Sequence, residues 1–307
     1  MVVKTTPNTA QSGIFALGTA SHTYLEFDIE RGVAASALIG AIAALREPRT
    51  TMGGVNLVAG FRPELWRSAV HSGLPDDVMD FKAPIVGAGG YAMPATQRDA
   101  VLWISGSAYD VVFDVARGSI AELAGVARVA EETSSWPYHH DRDLTGFIDG
   151  TENPTLIEAP EVALIPESIP GAGGSVLLLQ KWIHLARDWE SLPTERQEAV
   201  MGRAKSDSEE LIDKPADSHV ARNDQDRFGK IFRRNMPYGT VTDHGTMFVG
   251  FSADQRRMQA MLESMAGVHD GVRDALTYFA TPVTGAYYFI PSLASLRSVT
   301  PGDPSPG

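Results

Sequence analysis

Four prolines and three glycines between residues 153 and 174 dictate how this chain can be laid out. Pro154, Pro160, Pro166, Pro170, Gly171, Gly173 and Gly174 remove backbone donors or leave the dihedrals unrestrained, so no long helix or strand can run through that stretch. A connection of that length exceeds an ordinary loop within one domain. It also separates two stretches in which the same kinds of element follow one another.

Before it, residues 22–29 alternate apolar and polar as a half-buried strand does, and Val33, Ala37, Ala41 and Leu45 then recur at helical spacing. Gly53-Gly54 leads into a second strand at 55–61, a short helix is expected at 63–70 and a strand at 101–105. Residues 110–130 read as a helix interrupted near Gly118. Beyond the connection, 175–185 and 246–251 read as strands, 194–204 and 254–266 as helices. Two α+β halves of similar plan follow, each an antiparallel sheet with helices on one face. The 307 residues suit two such units, each able to bury a core.

Charge and cysteine content narrow the chemistry. Lys and Arg number 26 against 38 Asp and Glu, a net charge of −12 that repels phosphate backbones and anionic lipid, so neither nucleic acid nor membrane is an expected partner. The chain has no cysteine, which excludes disulfides, zinc-thiolate sites, iron–sulfur clusters, thiolate-ligated haem and cysteine nucleophiles. A bound metal must use His or oxygen ligands. Residues 1–13 lack the basic stretch and apolar core of a secretory signal, and the apolar run 33–45 is too short to span a bilayer. A cytoplasmic location is the expectation.

Two regions carry candidate chemistry. Residues 146–154 place Asp149 between an apolar pair and Gly150, where the carboxylate would be partly desolvated and could act as a base. The same spacing equally suits a turn in which Asp149 bonds backbone amides. Further on, Asp217-Ser218-His219-Val220-Ala221-Arg222 precedes Phe232-Arg233-Arg234-Asn235-Met236-Pro237-Tyr238-Gly239. Arg222, Arg227, Lys230, Arg233 and Arg234 concentrate positive charge in an acidic protein, as a site for one small anion would, or as a solvated face would. His139-His140 has no further His at ligand-like spacing and is read as a surface pair.

In combination these motifs resemble the B-type dye-decolourising peroxidases. The resemblance rests on Gly146-Phe147-Ile148-Asp149-Gly150 with Thr151-Glu152-Asn153-Pro154, on Ser218-His219 with Arg222, and on Arg233 and Asn235 ahead of Met236-Pro237-Tyr238-Gly239. It extends to residues 246–251 and to Val283-Thr284-Gly285 with Pro291-Ser292. It implies two ferredoxin-like domains, 1–145 and 146–307, each an antiparallel sheet with peripheral helices, and haem b in the second. His219 would be the iron ligand and Asp274 would accept the other imidazole proton. Asp149, Arg233 and Asn235 would act on peroxide, and Gly150, Thr151 and Phe251 would line the cofactor site.

The implied reaction is reduction of hydrogen peroxide with oxidation of small aromatic donors, dyes and phenolics among them, or of Mn(II). The alternative is a protein that binds haem or releases its iron without peroxide turnover. An Asp in contact with an Arg titrates low, so activity would be highest at acidic pH. The resemblance also admits a homo-oligomer and packaging in an encapsulin shell. The sequence shows no interface, and the short Pro/Gly-rich tail after Pro291-Ser292 shows no evident docking peptide.

Overall fold

The computed structural model describes residues 9–45, 54–70, 73–139 and 141–300. His140 and most of the Pro/Gly-rich tail lie outside them. The first half forms β1 (Ser21–Ile29), α1 (Ala35–Ala44), β2 (Val55–Phe61), β3 (Ala100–Gly106), α2 (Tyr109–Glu122) and β4 (Ala127–Ser135). The second forms β5 (Ser175–His184), α3 (Thr194–Met201), β6 (Phe232–Arg233), β7 (Met236–Gly239), β8 (His244–Ser252), α4 (Gln255–Ala266) and β9 (Ala286–Ile290). A last helix, α5 (Leu293–Val299), follows.

Within the first half the antiparallel order is β2-β3-β1-β4. In the second it is β9-β5-β8, with β7 and β6 sharing the far side of β8. Met236 pairs Met247 and Arg233 pairs Gly250 in one register, so β6 and β7 are one strand broken at Arg234-Asn235. In each half the fourth strand lies beside the first, with helices after the first and third: the ferredoxin-like arrangement. The two sheets meet at both edges, Ser135 pairing Tyr238 and Phe61 pairing Phe289, so the strands form a closed ring.

The fourth strands are where sequence and structure part. The expected helix at 110–130 stops at Glu122, turns at Gly125 with φ of 80°, and gives way to β4. Gly118 does not interrupt that helix because it sits on its exposed side, where the missing side chain leaves no gap. β9 was not anticipated either; its five residues are apolar throughout, a run in which period-two alternation cannot appear.

Alternation explains the two cores. Leu25, Phe27, Leu102, Ile104 and Leu178 point outward beneath helices, packed with Leu38, Val112 and Met261. Tyr24, Trp103, Leu177, Val249, Phe251 and Tyr288 point inward and fill the space between the sheets. Each such side chain, fully buried, contributes about 1.5–3 kcal/mol. The seam is not purely apolar. Glu26, 4% exposed, accepts a 2.5 Å bond from the Tyr288 hydroxyl, and Arg234 lies over the Trp103 ring while donating to the Ile14 and Ala16 carbonyls. α5 crosses back to pack on α1, and Gln11 donates to the carbonyls of Ala59 and Pro291, so residues 11 and 291–299 both lie against the first half.

Candidate active site

Between the outer face of the second sheet and α4 lies a cavity that encloses, with its open mouth included, about 1300 Å³ of space free of protein atoms. Leu178 and Trp182 of β5, Phe248 of β8, and Met258, Met261, Leu262 and Met265 of α4 make half of its apolar wall. The helix presents that face because these positions recur at helical spacing. Many of its polar groups come from two segments, the loop 143–152 and the region around His219, and others from the strands and from beyond α3.

His219 opens a single helical turn capped by Ser218, whose hydroxyl accepts from the Ala221 amide. Its Nδ1 lies 2.8 Å from Asp274 Oδ2. A carboxylate can only accept, so Nδ1 carries the proton and Nε2 keeps its lone pair. Nε2 has no protein partner among the described residues. Asp274 is itself fixed: it is fully buried, its Oδ1 accepts from the Leu276 amide, and its amide donates to Met265 O. Asn223 donates to the carbonyl of His219 and, at 3.3 Å, to Asp274 Oδ2. Burial works against a charged imidazole here, but the Asp274 carboxylate outweighs it and raises the His219 pKa.

The other segment is a tight loop. Gly146 and Gly150 take φ of 89° and 78°, which only glycine adopts freely. Arg142 donates to Gly146 O, Asp149 N to Asp141 O, and Ile148 N to Ser208 Oγ, so Asp149 projects from a framed backbone. Its carboxylate makes no hydrogen bond or ion pair among the described residues, which sets aside the turn in which it merely caps amides. Arg233 enters the same cavity from β6. Its Nε is buried without a hydrogen-bond partner. Asn235 lines the cavity too, its Oδ1 accepting from Val249 N in place of the carbonyl lost at the strand break.

The family model described as Dyp-type peroxidase, C-terminal, matches residues 140–295, which is the stretch that holds every group just described. A dye-decolorizing peroxidase of Mycolicibacterium paratuberculosis is 34% identical over 289 residues, 87% of this chain and 81% of the relative. The chain belongs to the dye-decolourising peroxidase family. Solved structures agree with that membership. A DypB variant of Rhodococcus jostii in complex with haem aligns with a TM-score of 0.84 and 30% identity, covering 95% of this chain and 99% of that one. The encapsulated DyP-type peroxidase of Mycobacterium smegmatis aligns at 0.81 and 30%, covering 96% and 99%.

Of the residues the resemblance singled out, His219, Asp149, Gly150, Thr151, Arg233 and Asn235 all line this one cavity, with Asp274 behind His219. Phe251 does not. It faces the seam between the sheets, stacked on Trp103, and Phe248 takes the place expected of it, because residues three apart on a strand face opposite ways. The basic cluster also divides. Arg222 is held by Asp270 and Ser264 O, Arg227 lies over Phe228, Arg234 is buried in the seam, and only Arg233 of the five lines the cavity. Asp149 and Arg233 share the cavity without forming an ion pair, so the acidic optimum expected from their contact has no contact behind it.

Three cavity groups were not anticipated. Asp143 lines the wall six residues before Asp149; burial, then the charge of Asp149, pushes its carboxyl up to about 6. His184 ends β5 at the wall, 3.1 Å from Thr246 Oγ1, and burial lowers its pKa to about 4. Arg203 joins them from beyond α3, paired with Glu152. Alternation along β5 would place His184 on one face with Trp182 and Gln180; nothing local in the sequence marks Asp143 or Arg203.

Proposed function

We propose that this chain is a haem peroxidase that reduces hydrogen peroxide and oxidises small organic donors such as dyes and phenolics, with Mn(II) as a further donor. The observation that carries the reading is the convergence, on one largely apolar cavity, of a carboxylate-backed imidazole, a carboxylate without a partner among the described residues and a guanidinium whose buried Nε also lacks one there. The donor set fits haem. The cavity walls are largely apolar, His219 offers an Nε2 with no partner among the described residues, and the buried Nε of Arg233 likewise finds no acceptor among them. A protein that only carries haem needs neither Asp149 nor Arg233, so the carrier reading is not favoured.

Bound haem would supply an iron able to pass two electrons to peroxide and recover them one at a time from donors. His219 would hold it through Nε2. Asp274, by taking the Nδ1 proton in a short charge-assisted bond, makes that nitrogen a stronger electron donor and fixes the ring's orientation. Asp149 would take the proton from the near oxygen of peroxide and return it to the far oxygen, which leaves as water. Arg233 holds its charge at every accessible pH and cannot serve as that base. Its donors would instead stabilise negative charge on the peroxide oxygens as the bond breaks. The thioether and aliphatic wall excludes water and strengthens those interactions.

Peroxide and small aromatic donors are the partners in this reading, and packaging stays a property of the Mycobacterium smegmatis relative. No helix among the described residues is long and apolar enough to cross a membrane. A cytoplasmic location belongs to the same reading and rests on the sequence. The test is an absorption spectrum. The purified protein loaded with hemin should show a ferric haem Soret band that changes when peroxide is added. Asp149→Ala and Arg233→Leu should keep the band and slow that change roughly a hundredfold or more. A protein that ignores added hemin, or variants as fast as wild type, would overturn the reading.

A further inference from the structure

The guanidinium of Arg233 makes no hydrogen bond or ion pair among the described residues; the polar contacts that hold this residue are those of its backbone. The backbone of Arg233 is held from the side away from β8. Asn153 Nδ2 donates to Arg233 O at 2.9 Å, and Arg233 N donates to Asn153 Oδ1 at 2.9 Å. One side-chain amide thus stands in for a missing strand residue, satisfying both polar groups that β6 turns away from its neighbour. The bonds span 80 positions in sequence. They also tie Arg233 to the loop of Asp149, because Asn153 N donates to Gly150 O.

Gly150 supports the same arrangement. It has φ of 78°, which favours glycine, and a Cβ there would stand 3.0 Å from Asn153 Nδ2 and press the amide a few tenths of an ångström out of place. The strand needs the clamp because it is only two residues long and is broken immediately afterwards at Arg234-Asn235.

We infer that Asn153 is a positioning residue: its amide locks the Arg233 strand to the Asp149 loop and so sets the distance between the two groups that handle peroxide. This rests on the haem peroxidase reading. The consequence is that Asn153 governs peroxide chemistry without touching peroxide. Asn153→Ala removes both bonds, whereas Asn153→Asp keeps an acceptor for Arg233 N and loses the donor to Arg233 O.

The test uses the full chain loaded with hemin, with Arg233→Leu alongside. Three quantities are read below the melting temperature: fluoride affinity of the ferric protein, which depends on a donor such as Arg233 near the bound anion; the rate of the spectral change with peroxide; and amide hydrogen exchange at Arg233. Asn153→Ala should exchange at Arg233 at least about tenfold faster, bind fluoride more weakly in the same direction as Arg233→Leu, and react with peroxide roughly ten- to a hundredfold more slowly. Asn153→Asp should fall between it and wild type, and it stands in if the alanine variant does not fold. A merely structural role would lower the melting temperature and leave fluoride affinity and the peroxide rate of the folded protein unchanged, and that result overturns the inference. If wild type itself fails to take up hemin, or if Arg233→Leu leaves fluoride affinity unaltered, the fault lies with the assignment of the site instead.

Discussion

Replacing Glu26 by Gln should change how the stability of the protein depends on pH. Glu26 sits in the seam between the sheets, directly across from Glu131, with the Tyr288 hydroxyl on its carboxyl group. Burial raises its pKa to about 7; the Tyr288 bond opposes this, Glu131 adds to it, and Arg98 and Lys181 pull it back. An acid whose pKa is raised in the fold stabilises the fold through its protonated form. That contribution is whole below the unfolded value of about 4.5 and disappears as pH rises through about 7. The difference between the two values is worth about 3 kcal/mol, most of it lost between pH 5 and pH 8. Glutamine keeps an acceptor for Tyr288 and cannot ionise. Urea unfolding of both proteins, followed by circular dichroism across that range at fixed ionic strength, reads the effect, since titrations remote from Glu26 cancel in the difference. The wild type should lose ground to Glu26→Gln steadily as pH rises. A gap between them that stays constant from pH 5 to pH 8 would show that Glu26 is ionised in the fold throughout, and the argument from burial would fail.

Asp274→Asn should leave hemin bound but raise the ferric–ferrous potential and slow the peroxide reaction about 10–100-fold, read by redox titration and stopped flow; an unchanged potential would mean the carboxylate does not act through the imidazole. Phe251→Ala should cost about 3–5 kcal/mol in urea unfolding while leaving the Soret band of the folded protein as in wild type, whereas a shifted band would put Phe251 back at the cofactor. At Gly245 a Cβ would lie 1.8 Å from the Trp182 carbonyl, so Gly245→Ala should prevent the β5–β8 pairing and abolish soluble expression; a soluble variant with a wild-type melting curve would refute that clash.

The strands with clear alternation or flanking turn residues, and the amphipathic helices, were legible residue by residue. β4 was not, because Val126 and Ala127 continue the apolar spacing of α2, and the positive φ at Gly125 is what separates them from it. β6 and β7 were hidden for a different reason: Asn235 supplies a side-chain oxygen where a strand would use its carbonyl, so the break carries no pattern. At the site, motif resemblance found the residues that converge, but it could not tell Phe248 from Phe251 without the phase of β8. Nor could charge alone separate Arg233 from Arg234. Neighbours on one strand face opposite sides, and one guanidinium enters the cavity while the other is buried between the sheets.

The strands pair edge to edge around the molecule, so neither sheet has a free outer edge where it meets the other, and that closure bears on any attempt to cut the protein in two. A fragment carrying only the cofactor half would bare the β7 and β9 margins together with a whole apolar sheet face holding Leu177, Leu179, Val249 and Phe251. Unpaired margins beside such a face recruit other chains. The first sheet therefore serves the chemistry at a distance, by covering that face and pairing both margins.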